Sequence, residues 1–483
     1  MSLPVEIRNL EAISRRLEPD GEVRKSVRDS VLAYTEDFLD RIGEIPAFVF
    51  PHDGGTGILG DPIGEEPAPI DRLLGLIREN IDRPGLNPAS GGHLAYIPGG
   101  GLYNSALGDY MAAVMNRYAG AYFGGPGAVR LENFLLDWMK DIVGYPAGSA
   151  GNLTSGGSIA NLIGVVAARD GAGLKAADTP RAVIYLTTQA HHSVHKAIRI
   201  AGLGEAKIRV VPVDSRFRMS ARQLGAAIAG DKRKGLIPLM VIAAAGSTDA
   251  GAVDPLEEIG EIAWRSGVWY HIDAAYGGFF VLCDEGKKIL GGMGMSDSLV
   301  MDPHKGLFLP YGTGAVLVKN SGQLLESFHY RANYMQDAIP DPTAHSPADL
   351  SPELTKHFRG LRLWLPLKLH GLAPFRAGLA EKLLLARYFH GRLAGMEGFE
   401  RGPEPDLSVV TYRYVPRRGD PDRFNEMIIR EVKKDGRVFL SSTILNGRYT
   451  LRLAALAFRT HLDTIDLALD ILKHTAKKLE TSV

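Results

Sequence analysis

Two short segments of the 483-residue chain carry side chains whose types and spacing suit one cofactor chemistry. Residues 298–306 place Lys305 directly after a histidine, and residues 271–276 contain Asp273. Each segment includes a short apolar run that predicts the end of a buried strand. A lysine can form an imine with the aldehyde of pyridoxal phosphate, and an aspartate can keep the pyridine nitrogen protonated, so that the ring accepts electrons. The pair therefore indicates pyridoxal-phosphate chemistry, with Lys305 as the anchor.

Two other segments add groups that the same cofactor needs. Residues 154–161 form a glycine-rich turn before a predicted helix, where Gly156, Gly157 and Ser158 suit a phosphate, because backbone amides at a helix start point at a bound anion. Residues 189–195 hold three histidines, one of which could stack on a cofactor ring. Zinc is disfavoured there because no cysteine or carboxylate pattern accompanies them. Taken singly, the glycine-rich segment fits a plain turn and a histidine fits a capping residue. Asp273 alone fits a structural salt bridge, and Lys305 alone fits a surface lysine. In combination these features favour a cofactor site.

Composition excludes several classes of protein. The chain is 45% hydrophobic with a formal net charge of zero, so it can bury a large core and has no electrostatic reason to bind nucleic acid or an anionic membrane. Its single cysteine, Cys283, excludes an intramolecular disulfide framework and fits a reducing compartment. The sequence shows neither an apolar stretch that could span a bilayer nor a signal peptide. We therefore expect a soluble, cytoplasmic protein that acts on a small molecule.

From about residue 150 onward, apolar runs alternate with helical patterns. The runs predict strands at 183–186, 208–213, 239–245, 268–272, 299–301 and 315–318. Helical stretches such as 219–229 and 256–266 separate several of them. This alternation is typical of an α/β fold whose mostly parallel sheet is covered on both faces. Ligands in such folds bind beyond the carboxyl ends of the strands, which is where Asp273 and Lys305 fall.

The flanking regions differ in pattern and suggest a three-part chain. The first part predicts helices, of which residues 20–40 are amphipathic and could pack on a partner subunit or on the protein's own core. Residues 320–357 have weak periodicity and predict a long loop. In the last part, predicted strands at 407–414 and 449–455 accompany helices at 423–434 and from 462. We expect an N-terminal helical segment at 1–85 that packs in a dimer, a large cofactor-binding domain at 86–375 and a small α+β domain at 376–483.

The order of the motifs resembles a known family. A glycine-rich turn, a histidine, Asp273-Ala-Ala-Tyr276 and Pro303-His-Lys305 follow one another as in the group II pyridoxal-phosphate-dependent amino acid decarboxylases, especially the aromatic-L-amino-acid decarboxylases. The resemblance runs from about residue 87 to the carboxyl terminus. It implies the fold type I architecture of PLP-dependent transferases, with a mostly parallel seven-stranded sheet. It also implies a homodimer with active sites at the interface.

The resemblance also implies roles for individual residues. Lys305 would form the aldimine, Asp273 would pair with the pyridinium nitrogen, and His191 would stack on the ring. The remaining cofactor contacts would come from Gly156, Gly157, Ser158 and His304 at the phosphate, from Ala275 under the ring, and from Thr248 near the ring hydroxyl or Asp273.

Substrate residues follow from weaker parts of the same resemblance. Residues 95–98 resemble the segment that lines the pocket of aromatic-amino-acid decarboxylases, which makes Tyr96, Ile97 and Pro98 the pocket candidates, and Tyr118 could reach the partner subunit's site. Those decarboxylases carry a tyrosine, taken as the Cα proton donor, at a loop position equivalent to about residue 347. No tyrosine occurs at 335–355. His345 is a possible substitute.

These observations predict decarboxylation of an L-amino acid, with an aromatic or bulky side chain favoured, to the amine and carbon dioxide. The missing loop tyrosine leaves a decarboxylating oxidative deaminase, or aldehyde synthase, as an alternative. A decarboxylase that acts on an acidic or other non-aromatic amino acid is a third possibility. A catalytically silent homologue is disfavoured because Lys305, Asp273 and His191 are all present.

Overall fold

A computed structural model describes residues 2–51, 54–330 and 345–481. The strands in these ranges are β1 (Phe48–Val49), β2 (Gly85–Leu86), β3 (Ala150–Thr154), β4 (Ala182–Leu186), β5 (Lys207–Val210), β6 (Ile237–Ala244), β7 (Trp269–Asp273), β8 (Ser298–Met301), β9 (Gly314–Val318), β10 (Phe399–Arg401), β11 (Val409–Tyr414), β12 (Ser441–Leu445) and β13 (Arg448–Ala454).

The helices of the same ranges are α1 (Leu3–Ser14), α2 (Gly21–Asp40), α3 (Ile70–Ile77), α4 (Tyr103–Met115), α5 (Pro126–Val143), α6 (Gly157–Gly171), α7 (His192–Ile200), α8 (Ala221–Arg233), α9 (Leu256–Ser266), α10 (Asp284–Ile289), α11 (Pro303–Gly306), α12 (Ser321–Phe328), α13 (Gly360–His370), α14 (Ala373–Leu393), α15 (Pro421–Asp435) and α16 (Leu462–Glu480). Short 3-10 helices lie at Arg15–Leu17, Thr56–Gly60, Ala176–Arg181, Gly278–Leu282, Met293–Met295 and Pro347–Asp349, and a π-helix lies at Arg78–Asp82.

A seven-stranded sheet forms the centre of the molecule, in the order β3-β9-β8-β7-β6-β4-β5. Strands β4 to β8 pair in parallel, whereas β9 runs antiparallel to both β3 and β8. Successive parallel strands are joined through helices, which lie on the faces of the sheet. The expected mostly parallel, seven-stranded α/β fold is confirmed.

Apolar layers cover both faces of this sheet. Leu135 and Met139 of α5 belong to one core cluster together with Tyr270 of β7. Ala160 and Ile163 of α6 belong to the cluster on the opposite side. Strands buried on both faces read as continuous apolar runs, and this is why the central strands could be located from the sequence.

A smaller antiparallel sheet lies toward the carboxyl terminus, in the order β10-β11-β13-β12. Its core includes Phe389 of α14, Ile428 of α15 and Leu472 of α16. The two larger sheets thus fall on either side of the predicted boundary at residue 375, which lies near the start of α14. The division into three parts stays a prediction.

Several elements differ from the sequence expectations. Strand β3 was not predicted, because its sequence Ala-Gly-Asn-Leu-Thr lacks Val, Ile and aromatic residues, although all five positions are buried. Strands β10 and β12 were also missed. The predicted loop at 320–357 was partly wrong, because α12 begins at Ser321, where the Asn320 side chain accepts a hydrogen bond from the backbone of Gly322.

The amino-terminal helices α1 and α2 lie on the surface with no buried residue. Their apolar side chains are exposed, among them Ile7, Leu10 and Val27. Within the described ranges, no helix combines the length and the apolar character that crossing a membrane requires.

Candidate active site

A cavity of about 590 Å³ opens at the carboxyl ends of the central parallel strands. The residues that follow β3, β4, β6, β7 and β8 supply most of its wall. This is the edge at which α/β folds bind ligands, because the connections between strands and helices converge there. The cavity therefore lies where the positions of Asp273 and Lys305 predicted it.

Lys305 lies in α11, the short helix that follows β8. Its Nζ is 3.0 Å from Oδ2 of Asp302, a carboxylate whose side chain is 1% exposed. The neighbouring His304 donates from Nδ1 to the backbone oxygen of Thr313 over 2.6 Å, and burial lowers the pKa of its imidazole. Lys305 and His304 both line the cavity.

Asp273 is the last residue of β7, and its carboxylate lies at the cavity wall. Oδ2 accepts a hydrogen bond of 3.0 Å from the Asn161 side chain, and Oδ1 accepts one of 3.2 Å from the backbone of Ala275. Two donors therefore hold the carboxylate in one orientation. Ala275 lines the cavity beside it.

His191 caps the start of α7 and also lines the cavity. Its Nδ1 lies 2.7 Å from Oγ of Ser193 and accepts a hydrogen bond of 3.3 Å from the Ser193 backbone. Burial is the main cause that lowers the pKa of His191. The ring of His192 lies 4.0 Å from the His191 ring, centroid to centroid, and His192 also lines the cavity.

The start of α6 is open to the cavity. Gly156 precedes the helix with φ +156°, and no side chain caps the first turn. A methyl group added at Gly157 would lie 2.9 Å from Oδ2 of Asp302 and 3.2 Å from the side chain of Ala275. Ser158 lines the cavity next to these glycines. Uncapped backbone amides at a helix start, without side chains in the way, are a suitable site for a phosphate.

Two buried polar atoms of the wall lack a hydrogen-bond partner among the described residues. They are Oε1 of Gln189 and Oδ1 of Asp302. Buried polar atoms usually have a hydrogen-bond partner, so two such atoms without one beside a cavity are consistent with a polar ligand. The cavity volume, the open helix start and the lysine amine fit a phosphate-bearing aldehyde cofactor.

Two further wall residues have a strained backbone. Tyr96 has φ +54° and Ile97 has φ +59°, and both line the cavity. Positive φ is unfavourable for side chains of this size, above all for the β-branched Ile97, and such strain is often found at functional sites. The strain shows that the surrounding structure holds this segment in place against its intrinsic preference.

The structure brings most of the predicted residues to the cavity, but not all. Thr248 is on the wall, where its backbone oxygen accepts a hydrogen bond from Arg452. Pro98, Tyr118 and His345 do not line the cavity of their own chain. The Tyr118 hydroxyl donates to the backbone oxygen of Leu354, and the His345 backbone oxygen accepts from Asn133. The roles predicted for these three residues stay predictions.

Sequence reasoning also missed residues of the site. Arg452, Asn161 and Asp302 all line the cavity, and burial lowers the pKa of Arg452. Asp302 could have been found, since it precedes Pro303-His-Lys305 in the motif. Asn161 is the last residue of the glycine-rich segment 154–161, but no role was predicted for its amide. Arg452 reaches the cavity from β13, and its sequence surroundings give no such signal. Residues 331–344 lie outside the described residues. They include Tyr334 and the first ten residues of the segment 335–355, which contains no tyrosine.

Comparisons with known proteins agree with this geometry. Residues 59–415 match the pyridoxal-dependent decarboxylase conserved domain. The aromatic-L-amino-acid decarboxylase of Bacillus atrophaeus is 32% identical over 407 residues, which are 83% of this chain and 84% of the relative. The phenylacetaldehyde synthase of Petunia hybrida is 29% identical, with 87% of each chain covered.

Solved structures show the same fold. A crystal structure of Oryza sativa TDC with PLP and tryptamine superposes with a TM-score of 0.89 at 24% identity, covering 95% of this chain and 99% of that one. The family model extends over well more than half of the sequence. The chain belongs to the pyridoxal-dependent decarboxylase family and is a pyridoxal-phosphate-dependent carboxy-lyase.

Proposed function

We propose that this protein decarboxylates an aromatic L-amino acid to the corresponding amine and carbon dioxide. The observation that carries the proposal is the convergence of Lys305, Asp273 and His191 on one cavity at the open start of α6. The aromatic preference is supported by relatives named as aromatic-L-amino-acid, tyrosine and tryptophan decarboxylases. Tyr96 and Ile97 add an aromatic and an aliphatic side chain to the same wall, and both types of side chain suit an aromatic substrate.

We propose that the phosphate of the cofactor binds at the open start of α6. Gly156 and Gly157 would let the backbone approach the phosphate, Ser158 would add a hydroxyl, and His304 would contact it from α11. Ala275 would pack under the ring, and Thr248 would lie near the ring hydroxyl. When bound, pyridoxal phosphate supplies the aldehyde and the electron-accepting ring.

The proposed catalytic groups act around that ring. The amine of Lys305 would hold the cofactor between turnovers and would exchange with the substrate amine. The carboxylate of Asp273, fixed by two donors, would keep the pyridine nitrogen protonated. His191 would cover the ring face and limit access of water. For decarboxylation, the bond between Cα of the substrate and its carboxylate must be held perpendicular to the ring. The buried Arg452 is a cation on the cavity wall that could orient this carboxylate.

We propose a homodimer as the active form, because α1 and α2 expose apolar side chains along their length. In this assembly Tyr118 would contribute to the partner subunit's cavity, and Tyr96, Ile97, Pro98 and His345 would contribute to substrate binding. Sedimentation equilibrium would give twice the chain mass for a dimer, and a monomer mass for the active protein would contradict it.

The buried single cysteine supports a cytoplasmic location.

An aldehyde synthase is the second candidate function. Two observations favour it: residues 335–355 contain no tyrosine, and relatives named phenylacetaldehyde synthase cover 87% and 90% of the chain. In that case the products would be an aldehyde, ammonia, carbon dioxide and hydrogen peroxide, with molecular oxygen as the oxidant.

The substrate preference can be tested with a panel of amino acids. We expect kcat/KM for L-tyrosine, L-tryptophan or L-phenylalanine to exceed that for L-glutamate and L-2,4-diaminobutyrate by at least ~10-fold, since relatives at 30–32% identity are named for aromatic substrates. The diamino acid is included because an Acinetobacter baumannii relative named L-2,4-diaminobutyrate decarboxylase is 28% identical. A preference for either charged substrate would contradict the aromatic assignment.

A further inference from the structure

A continuous set of buried hydrogen bonds lies behind the cavity, between β7, β8 and α6. Nε1 of Trp269 donates to Oγ of Ser298 over 2.8 Å, and that Oγ lies 2.7 Å from Nδ1 of His271. Nε2 of His271 lies 2.8 Å from Oδ1 of Asn161. His271 and Ser298 have no exposed surface, and Asn161 is 1% exposed. These bonds connect the interior of the sheet to the cavity wall.

Asn161 extends this set to the two groups proposed for catalysis. Its Nδ2 donates to Oδ2 of Asp273 over 3.0 Å and to Oγ of Ser193 over 3.2 Å. Oγ of Ser193 in turn lies 2.7 Å from Nδ1 of His191. One amide group therefore contacts Asp273 directly and His191 through a single hydroxyl.

The direction of every bond follows from the carboxylate of Asp273. A carboxylate only accepts hydrogen bonds, so the Asn161 amide must present its nitrogen to Asp273 and its oxygen to His271. His271 must then carry its proton on Nε2. Burial lowers the pKa of His271 to about 4, so its ring is neutral at physiological pH and its Nδ1 accepts from Ser298.

The same reasoning fixes the tautomer of His191. Nδ1 of His191 accepts from the Ser193 backbone, so it carries no proton. Both protons of the Asn161 amide are used, and Ser193 is left to donate its hydroxyl proton to Nδ1. The proton of a neutral His191 ring therefore lies on Nε2, at the edge away from Ser193.

We propose that Asn161 is the positioning residue for Asp273 and His191, and that His271 locks the orientation of the Asn161 amide. The proposal rests on the roles proposed above for Asp273 and His191. In the locked orientation Asn161 holds the Asp273 carboxylate toward the cofactor and sets His191 as a donor at Nε2. Gly164 of α6 leaves space for the His271 ring, because a methyl group added at Gly164 would lie 2.7 Å from Cε1 of His271.

The tautomers can be measured in the wild-type protein without cofactor, by nitrogen-15 NMR of the histidine rings. The proposal predicts a proton on Nε2 of both His271 and His191. A proton on Nδ1 of His271 would overturn it, because Nε2 of a neutral ring would then have no proton to donate to Oδ1 of Asn161. Since no turnover is involved, this result is independent of whether amine is ever formed.

Variants test the effect on the cofactor. Asn161→Leu keeps the side-chain size and removes the amide, and we expect the dissociation constant for pyridoxal phosphate to rise about 10- to 100-fold, as for loss of a hydrogen bond to a charged group. Asn425→Leu is the matched control, because Asn425 of α15 is also fully buried and makes its hydrogen bonds to Tyr414 of β11 and to Pro421, none of which lines the cavity. Gly164→Ala should weaken binding in the same direction as Asn161→Leu by displacing His271.

Thermal unfolding of each variant separates a specific effect from a general loss of stability. The proposal predicts weak cofactor binding in Asn161→Leu and near wild-type binding, within about 3-fold, in Asn425→Leu. Wild-type affinity in Asn161→Leu, or equal losses in both variants, would overturn the positioning role. Failure of the wild type to release an amine from any amino acid would instead contradict the proposed function.

Discussion

At the residue scale, the site is defined by partners that fix orientation rather than by isolated reactive groups. Asp273 is held by a side-chain amide and a backbone amide, and His191 by the hydroxyl and backbone of Ser193. The amine of Lys305 lies against the buried carboxylate of Asp302. Preorganised groups of this kind need little rearrangement when a ligand binds.

Replacing Asp273 by asparagine tests its proposed role. We expect Asp273→Asn to lower kcat by about 100-fold or more at saturating cofactor, because an amide cannot stabilise a protonated pyridine nitrogen and breaking a buried ion pair costs about 3–5 kcal/mol. Steady-state kinetics with the preferred amino acid would measure it. Asp231→Asn is the control, since the buried Asp231 of α8 also forms an ion pair but with Arg209 of β5, away from the cavity. A kcat within about 3-fold of wild type would show that Asp273 does not act on the cofactor.

Residue identities were predictable where motifs carried them. Lys305, Asp273, His191 and the glycines at 156 and 157 line the cavity as the sequence indicated. Arg452 was not predicted, because it reaches the cavity through the packing of β13 rather than through a short motif. Asn161 lies in the predicted segment 154–161, but its contacts to Asp273 and His271 depend on how α6 packs against β7. Tertiary contacts of this kind leave no regular spacing in the sequence.

At the scale of elements, the site depends on the start of α6 following directly after β3. The turn between them brings Gly156 and Gly157 close to the side chains of His304, Asp302 and Ala275. Strand β3 is buried but rich in small and polar residues, so sequence periodicity did not reveal it. The glycine-rich turn was predictable, whereas the strand that positions it was not.

A methyl group in this turn should weaken cofactor binding. We expect Gly157→Ala to raise the dissociation constant for pyridoxal phosphate by about 10-fold, because the added carbon would lie 2.9 Å from Oδ2 of Asp302 and must displace the turn. Equilibrium dialysis of the cofactor-free protein would measure it. Gly127→Ala at the start of α5 is the matched control, since an added carbon there meets nothing within 4 Å. Equal affinities for the two variants would argue against a phosphate at α6.

At the scale of the whole molecule, the architecture was the most predictable property. Alternating apolar runs and helices predicted a mostly parallel sheet, and the structure has one of seven strands. The burial of strands on both faces produces this strong signal. The amphipathic pattern of residues 20–40 fits packing on a partner subunit as well as packing on the protein's own core. In the structure the apolar side chains of α1 and α2 are exposed.

Buried histidines should make global stability depend on pH. Burial lowers the pKa of His93 to about 4 from its ordinary value of 6.5. The unfolded chain therefore takes up a proton between these values while the folded one does not, so stability is full above pH 6.5 and is lost as the pH falls toward 4. His271, with a pKa of about 4, contributes in the same direction.

The contribution of His93 can be isolated by substitution. Between pH 7 and pH 5 we expect wild type to lose ~2 kcal/mol more unfolding free energy than His93→Phe, whose ring cannot be protonated. The phenyl ring would still pack against Phe439, 5.5 Å from the present ring centroid. Denaturant unfolding at the two pH values would measure the difference, with the exposed His474→Phe as control. Parallel pH dependence of His93→Phe and wild type would contradict the assignment.

The central claim is that the cavity around Lys305 converts an aromatic L-amino acid into its amine. The most direct test is the stoichiometry of carbon dioxide, amine and hydrogen peroxide for the preferred aromatic substrate, with Lys305→Ala as the control. We predict one amine for each carbon dioxide from wild type, no accumulation of peroxide, and neither product from Lys305→Ala. Peroxide formed in step with carbon dioxide and without amine, or equal activity in the Lys305→Ala variant, would contradict the claim.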